Sequence, residues 1–258
     1  MTITADQPTD LETATYVYAI VEAVPDRVPA GLTGLDGREV ELVEHGAVAA
    51  AVGTIAVDRP PGRRADLMAH SAVLDALASA GPVVPVQFGS VVTDLETVRD
   101  EVIEPTAERW VALLDALRDR TQLNLRVSYH EEVVLQEVVG ENPEVAALRE
   151  RTRDTDETVA YGDRVRLGEL VSRALEAKRG VDAEQVLTLV LPHAVSYSVR
   201  ERGGVDHVLD VALLVDDDRR AELEDQLEQV AEGMHERMRF QLLGPVPPYD
   251  FVDGDWWA

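Results

Sequence analysis

The spacing of apolar residues changes repeatedly along this chain, and this change is the strongest constraint on its fold. The stretch TYVYAIVEAV (15–24) is almost entirely β-branched, aromatic or small, which predicts a strand buried on both faces. Apolar and acidic residues then alternate within 38–57, which predicts a hairpin turning at His45-Gly46. A helical pattern at 63–81 and a strand pattern at 82–92 follow. This β-β-β-α-β order predicts a small α/β sandwich.

A second series of elements follows a helical pattern at 94–120 that Pro105 interrupts. The series predicts strands at 123–134, 184–201, 205–218 and 239–245, and helices at 142–153, 157–179 and 217–238. We expect Gly180 to end the second of these helices. The order is β-α-(α)-β-β-α-β, which is that of the split βαβ, ferredoxin-like fold with one added helix.

The sequence therefore predicts an α+β protein of two α/β-sandwich domains. The first domain spans 15–120, including the linking helix at 94–120, and follows a disordered tail at 1–14. The second spans 121–258 and is a modified ferredoxin-like domain that ends in a proline-rich strap. A chain of 258 residues with 45% hydrophobic residues is long enough and apolar enough for two such cores.

Charge and composition exclude several classes of function. The net charge of −25 argues against nucleic acid and against an anionic membrane surface. The polar N-terminal stretch has no signal-peptide pattern and the chain has no cysteine, so we expect a soluble cytoplasmic protein. The acidity fits a GC-rich genome, a saline cytoplasm, or an acidic face for a basic partner.

No catalytic pattern stands out. The six histidines lack metal-site spacing, and the chain has neither a phosphate loop nor a nucleophile elbow. The sequence therefore predicts no catalytic, metal or cofactor site, and we expect a protein that is not an enzyme.

Two stretches do call for an explanation, PVVPVQFGSVV (82–92) and GPVPPYDFV (244–252). The first places two prolines in a strand-like run, where proline is normally confined to an edge or a strand start. The second is stiff and extended because proline restricts both itself and the residue before it. It fits a strap anchored on its own domain by Tyr249 and Phe251, and it also fits a docking element for a partner.

These two stretches resemble signatures of the gas vesicle protein F/L family. The residues that carry the resemblance are HSAVLDALASAGPVVPVQFGSVV (70–92) and LLGPVPPYDFV (242–252), supported by YVYAIV, ENPEVAALRE and YGDRVRLGELV in the same order. The resemblance covers about 15–252, and VLDVALLVD departs from the family's pattern. It implies two α/β domains, the second of them modified ferredoxin-like, and no cofactor.

The resemblance also implies a role in gas vesicle formation. We expect an accessory protein that binds the small hydrophobic shell protein and assists nucleation or assembly of the vesicle wall. The alternative is a minor structural component retained in the finished gas vesicle. Expected partners are the major shell protein and other gas vesicle accessory proteins, with no nucleic acid and no membrane.

The predicted partner-binding or signature residues come from both stretches, and they either contact a partner or hold the fold. They are Pro85, Phe88, Gly89, Gly244, Pro245, Pro247, Pro248, Tyr249 and Phe251.

Overall fold

The computed structural model describes residues 13–201 and 203–253, apart from the side chain of Glu157. The chain forms two compact units. The first runs to Thr121 and resumes at Pro247, and the second is Gln122–Val246. Of the predicted disordered tail, residues 1–12 lie outside the described part, while Thr13 and Ala14 already belong to the first strand.

The first unit is built on an antiparallel sheet. Its strands lie in the order β2-β3-β1-β4, and β5 also pairs with β1. The predicted strand, hairpin and helix are all present. Their bounds are β1 (Thr13–Glu22), β2 (Glu41–His45), β3 (Val48–Ala56), α1 (Arg64–Ser79), β4 (Val83–Pro85) and β5 (Val91–Val92).

The predicted strand at 82–92 is two short strands with a loop between them. Both β4 and β5 pair with β1, but the chain leaves the ladder after Pro85. Gly89 in this loop has a φ of 92°, in the left-handed region that favours glycine. The loop is still tied to β1, because the amide of Val86 donates to the carbonyl of Tyr18 over 2.9 Å.

The predicted linking helix is divided into short pieces. It consists of α2 (Leu95–Thr97), a π-helical stretch at Val98–Ile103, a 3-10 turn at Glu104–Thr106 and α3 (Ala107–Leu117). The break occurs at Pro105, which has no amide hydrogen to continue the helical ladder.

The second unit has a four-stranded sheet in the order β7-β8-β6-β9. The core forms where the helices pack on one face of this sheet, with Val127, Leu213, Val138 and Val186 all buried. The element bounds are β6 (Arg120–Tyr129), α4 (Glu131–Glu141), α5 (Pro143–Arg153), α6 (Glu157–Val190), β7 (Ser196–Val199), β8 (His207–Asp216), α7 (Arg220–Met234) and β9 (Met238–Val246).

This strand order places β8 between β6 and β7, as a split βαβ arrangement requires. The α+β class with two antiparallel sheets is therefore as predicted. The more detailed assignment to the ferredoxin-like class stays a prediction.

The start of α5 follows directly from the Asn-Pro pair in the sequence. The side chain of Asn142 accepts hydrogen bonds from the amides of Glu144 and Val145, at 3.0 and 3.2 Å. Pro143 occupies the first helical turn, where an amide hydrogen would have no partner in the helix.

Two predicted strands are wrong in part. The stretch 184–201 is helical as far as Val190, and only Ser196–Val199 is a strand. In this stretch Val186 and Val190 lie four residues apart and both are buried, so the apolar run packs as one face of a helix. The period of such a short run, rich in β-branched residues, does not distinguish a helix from a strand. Residues 131–134 likewise begin α4 rather than extending β6.

The predicted end of the helix at Gly180 and the predicted position of the strap are also corrected. Helix α6 continues through Gly180, which has an ordinary helical backbone, and ends just before Pro192. The strap was assigned to the second domain, but from Pro247 onward its contacts are with the first unit. A stiff segment loses little entropy on docking, and Phe251 of the strap is buried there.

We expect replacing Gly180 with alanine to stabilise the protein by about 1 kcal/mol, since Gly180 lies inside a helix with open space around its Cα. A helix that ended at a left-handed Gly180 would instead lose stability on this change. Urea unfolding measures the difference. The control is Gly46→Ala, which should destabilise because Gly46 has a φ of 61°.

Candidate functional site

The two signature stretches meet at His70, a residue of α1 that is only 1% exposed. One ring nitrogen, Nδ1, lies 2.9 Å from the hydroxyl of Tyr16 on β1. The other, Nε2, lies 2.8 Å from the hydroxyl of Tyr249 in the strap. The imidazole therefore joins a strand, a helix and the C-terminal strap within the first unit.

The hydrogen bonds around His70 have one consistent direction. The Gly89 amide donates to the Tyr16 hydroxyl over 3.0 Å, and the Tyr249 hydroxyl donates to the carbonyl of Val86 over 3.4 Å. The Tyr16 hydroxyl can therefore donate its hydrogen bond to Nδ1, and the Nε2–H group of a neutral His70 donates to the Tyr249 hydroxyl. Every group in this chain has a partner when the imidazole is uncharged.

Burial keeps His70 in that neutral form, because it lowers the pKa of the imidazole from 6.5 to about 4. Burial likewise raises the pKa of Tyr249 to about 12. Neither side chain therefore carries charge near neutral pH.

Aromatic rings surround the imidazole. Phe88 meets it edge-on with ring centroids 5.5 Å apart, and Tyr18 stacks on it at 5.8 Å. The hydroxyl of Tyr18 accepts a hydrogen bond from the amide of Leu35 over 2.8 Å. We call Tyr16, Tyr18, His70, Phe88 and Tyr249 the aromatic cluster.

The aromatic cluster is suited to holding and presenting surface rather than to reacting. Its polar atoms are hydrogen-bonded to one another or to the backbone. Within 13–201 and 203–253, no group of three or more histidine, aspartate or glutamate side chains is placed to hold a metal ion. In the same residues, no helix is both long and apolar enough to cross a membrane.

Most of the predicted site residues of the first unit lie at or near this cluster. Pro85 is buried at the end of β4, opposite Ala19 of β1. Phe88 is half-buried, while Gly89 is exposed and supplies its amide to Tyr16.

Within the strap, the predicted residues alternate between inside and outside. Pro248 and Phe251 are buried, and Pro247 is half-buried. Tyr249 is held by its hydroxyl, yet 40% of its surface remains exposed. The inward orientation of Phe251 supports the anchoring interpretation, and the exposure of Tyr249 leaves a surface for a partner.

The structure does not bring Gly244 and Pro245 to the cluster, because both belong to β9 in the second unit. Pro245 is exposed. Gly244 is required by close packing, since a Cβ there would lie 2.7 Å from Cδ2 of Leu123 and 2.9 Å from the carbonyl oxygen of Gln122. Its φ of 147° also favours glycine.

Sequence reasoning missed the centre of the site. His70 lies in the helical pattern at 63–81, and Tyr16 and Tyr18 lie in the predicted buried strand at 15–24, but neither pattern singles these residues out. The signal that could have found them is the histidine that opens the first signature stretch.

Arg27 gave no sequence signal at all. It is 2% exposed and donates to the carbonyls of Leu77 and Pro82, at 2.7 and 2.6 Å. It thereby ties the end of α1 to the start of the PVVPVQFG segment.

Comparison with known proteins identifies the family of this chain. A family model described as "Gas vesicle synthesis protein GvpL/GvpF" matches residues 14–253, nearly the whole chain. The chain belongs to the GvpL/GvpF family. Its family therefore places it in gas vesicle formation.

Individual members of the GvpL/GvpF family agree over their full length. Gas vesicle protein F of a Streptomyces species is 30% identical over 93% of this chain and 100% of the relative. The crystal structure of GvpF from Anabaena sp. has a TM-score of 0.80 at 20% identity, covering 94% of this chain and 99% of that one. GvpF from Microcystis aeruginosa has a TM-score of 0.74 at 19% identity, covering 93% and 99%. These structures support the fold.

We expect the imidazole of His70 to titrate near pH 4, because burial disfavours its charged form. Since the folded pKa lies below the unfolded value of 6.5, the unfolded chain binds the proton first as the pH falls. The neutral imidazole's contribution to stability is thus complete above about pH 6.5 and is lost progressively down to about pH 4, a total of about 3 kcal/mol.

NMR titration of the imidazole signals measures this pKa, and His70→Gln assigns the signal by removing it. A His70 signal that titrates near pH 6.5 in the folded protein would contradict the prediction. The variant also lacks the His70 part of the pH dependence of unfolding.

Replacing Gly244 with alanine should destabilise this family member by about 3 kcal/mol, because the new methyl group clashes with Leu123 and with backbone. Thermal or urea unfolding measures the loss. Gly233→Ala is the matched control, since Gly233 lies in α7 with nothing within 4 Å of an added Cβ. Equal stability of the two variants would show that the close approach is absent.

Proposed function

We propose that this protein binds the small hydrophobic shell protein of the gas vesicle and assists nucleation or assembly of the vesicle wall. The observation that carries the proposal is the aromatic cluster. Two family signature stretches converge there on His70, and they leave the rings of Phe88 and Tyr249 partly exposed in a defined geometry.

The exposed surface of the cluster is apolar and rigid. Tyr249 is 40% exposed although its hydroxyl contacts both His70 and the carbonyl of Val86. An aromatic ring held in place loses little entropy on binding, and such rings commonly dominate the energy of protein interfaces.

Leucine 67 extends this surface along α1. Leu67 lies three residues before His70, so the two side chains are neighbours on the helix. It is 48% exposed, although it is a large apolar residue. The surface offered to a partner therefore consists of Leu67, Phe88 and Tyr249.

The chemistry of a shell subunit explains the need for such a surface. A wall-forming protein exposes apolar area before assembly, and exposed apolar patches associate without control. A partner with a net charge of −25 can cover part of that area and keep the complex dispersed by self-repulsion.

Replacing Leu67 with glutamine should reduce the recovery of co-expressed shell protein about tenfold, as expected for one interface anchor. The change should leave the melting temperature nearly unaltered, since the side chain is half-exposed. Affinity purification of the tagged full chain measures the recovery, and a thermal melt of each variant separates binding from folding.

The matched control is Leu95→Gln, because Leu95 is a leucine of the same unit with a similar exposure of 46%. Full recovery of shell protein with Leu67→Gln would overturn the assignment of this surface. Equal losses in both variants would have the same consequence.

Retention in the finished vesicle is the alternative role for the same complex. Probing purified, stripped vesicles for the protein distinguishes the two. Its absence from intact vesicles supports a transient assembly role, whereas its presence after stripping supports a minor wall component.

A further inference from the structure

The second unit has a polar pocket on the sheet face opposite its helices. The pocket has a volume of about 370 Å³ and lies over β6, β8 and β9. The polar side chains that line it include Arg126, Ser128, Asp206, Asp210, Arg239 and Gln241. The gas vesicle role proposed above does not use this pocket.

Strand register brings these side chains to one face. Arg126 of β6 pairs with Gln241 of β9, and Ser128 pairs with Arg239. The intervening residues, such as Val127 and Phe240, pack in the helix-covered core. Arg126 and Arg239 are therefore diagonal neighbours, within reach of a single small ligand.

Arg126 is held in place by a buried carboxylate. Its Nε atom lies 3.2 Å from Oδ2 of Asp210, which is 2% exposed. Asp210 is also 3.4 Å from Arg200, whose guanidinium donates to Asn124 over 2.8 Å. One buried carboxylate thus faces two guanidinium groups, those of Arg126 and Arg200.

The remaining donors point to a ligand. In the described part of the chain, the Nη atoms of Arg126 and the whole guanidinium of Arg239 make no hydrogen bond or ion pair. The chain has 49 acidic residues against 24 basic ones, so an arginine such as Arg239, with no carboxylate partner among the described residues and beside a second arginine in one pocket, needs another explanation.

We propose that this pocket binds an oxyanion, either a carboxylate or a phosphate group. Two planar guanidinium groups match the paired oxygens of such anions, and charge-assisted hydrogen bonds are the strong ones. The Ser128 hydroxyl and the Gln241 amide supply further donors. Asp206 opposes the anion and sets a limit on its affinity.

The test uses the full chain and inorganic phosphate, with sodium chloride at equal ionic strength as the reference. Above its Kd, phosphate should raise the melting temperature of the unchanged protein in proportion to the logarithm of its concentration, beyond the rise with sodium chloride. In Arg239→Gln the phosphate concentration that gives the same rise should be about tenfold higher, because one charged donor group is lost. In Asp206→Asn it should fall, because a like charge is removed.

The control variant is Arg99→Gln, since Arg99 is an exposed arginine of the first unit with no side-chain ion pair in the described residues. It should respond to phosphate like the unchanged protein. If all four proteins respond equally to phosphate, or if Arg99→Gln and Arg239→Gln lose the same part of the response, the proposal is overturned.

A second titration distinguishes the source of the anion. If a short glutamate-rich peptide displaces phosphate, the ligand of the site is a carboxylate of a partner chain. If phosphate binds and the peptide does not displace it, the ligand is a free anion. Neither outcome depends on shell-protein recovery, so failure here is distinct from failure of the proposed function.

Discussion

The first unit depends on one uncharged imidazole. His70 lies between two tyrosine hydroxyls and connects β1, α1, the loop after β4 and the C-terminal strap. Buried polar groups are costly when they lack partners, so each of these segments has to be in place for the others to be satisfied. The arrangement explains why residues 16, 70 and 249, far apart in the sequence, act as one structural element.

In the second unit, partly buried polar side chains are satisfied by charged partners. Tyr129 donates to Asp182, and Arg237 bridges Asp182 and Glu137 at 2.7 and 2.8 Å. Lys178 adds a contact to Glu137 at 3.0 Å. Such partly buried networks add little net stability, but breaking one partner leaves an unpaired charge, so they favour one packing of β6, α4 and α6 over others. The guanidinium of Arg237 also lies 5.4 Å from the ring centre of Tyr129.

Much of the fold could be predicted because apolar residues recur with a clear period wherever only one face of a helix or strand is buried. The hairpin of β2 and β3, helix α1 and the capped start of α5 all follow from local patterns. The end of α6 did not, because VLTLVL is a short, mostly apolar run whose period does not distinguish a helix from a strand. Its helical conformation is decided by the packing of Val186 and Val190. The signature stretches contain Phe88 and Tyr249 of the aromatic cluster, and the role of these residues in binding stays a prediction. Its centre was missed because the contacts of His70 with Tyr16 and Tyr249 span 54 and 179 residues.

The return of the chain to the first unit at Pro247 makes the second unit an insertion within the first. Translation runs from the N-terminus, so the second unit, Gln122–Val246, is synthesised before Tyr249 and Phe251 and is complete before the first unit is. The N-terminal unit therefore finishes folding only after the segment from Pro247 onward has been made. Removing that segment removes part of the structure of the first unit, and the aromatic cluster is assembled only on chains that include Tyr249.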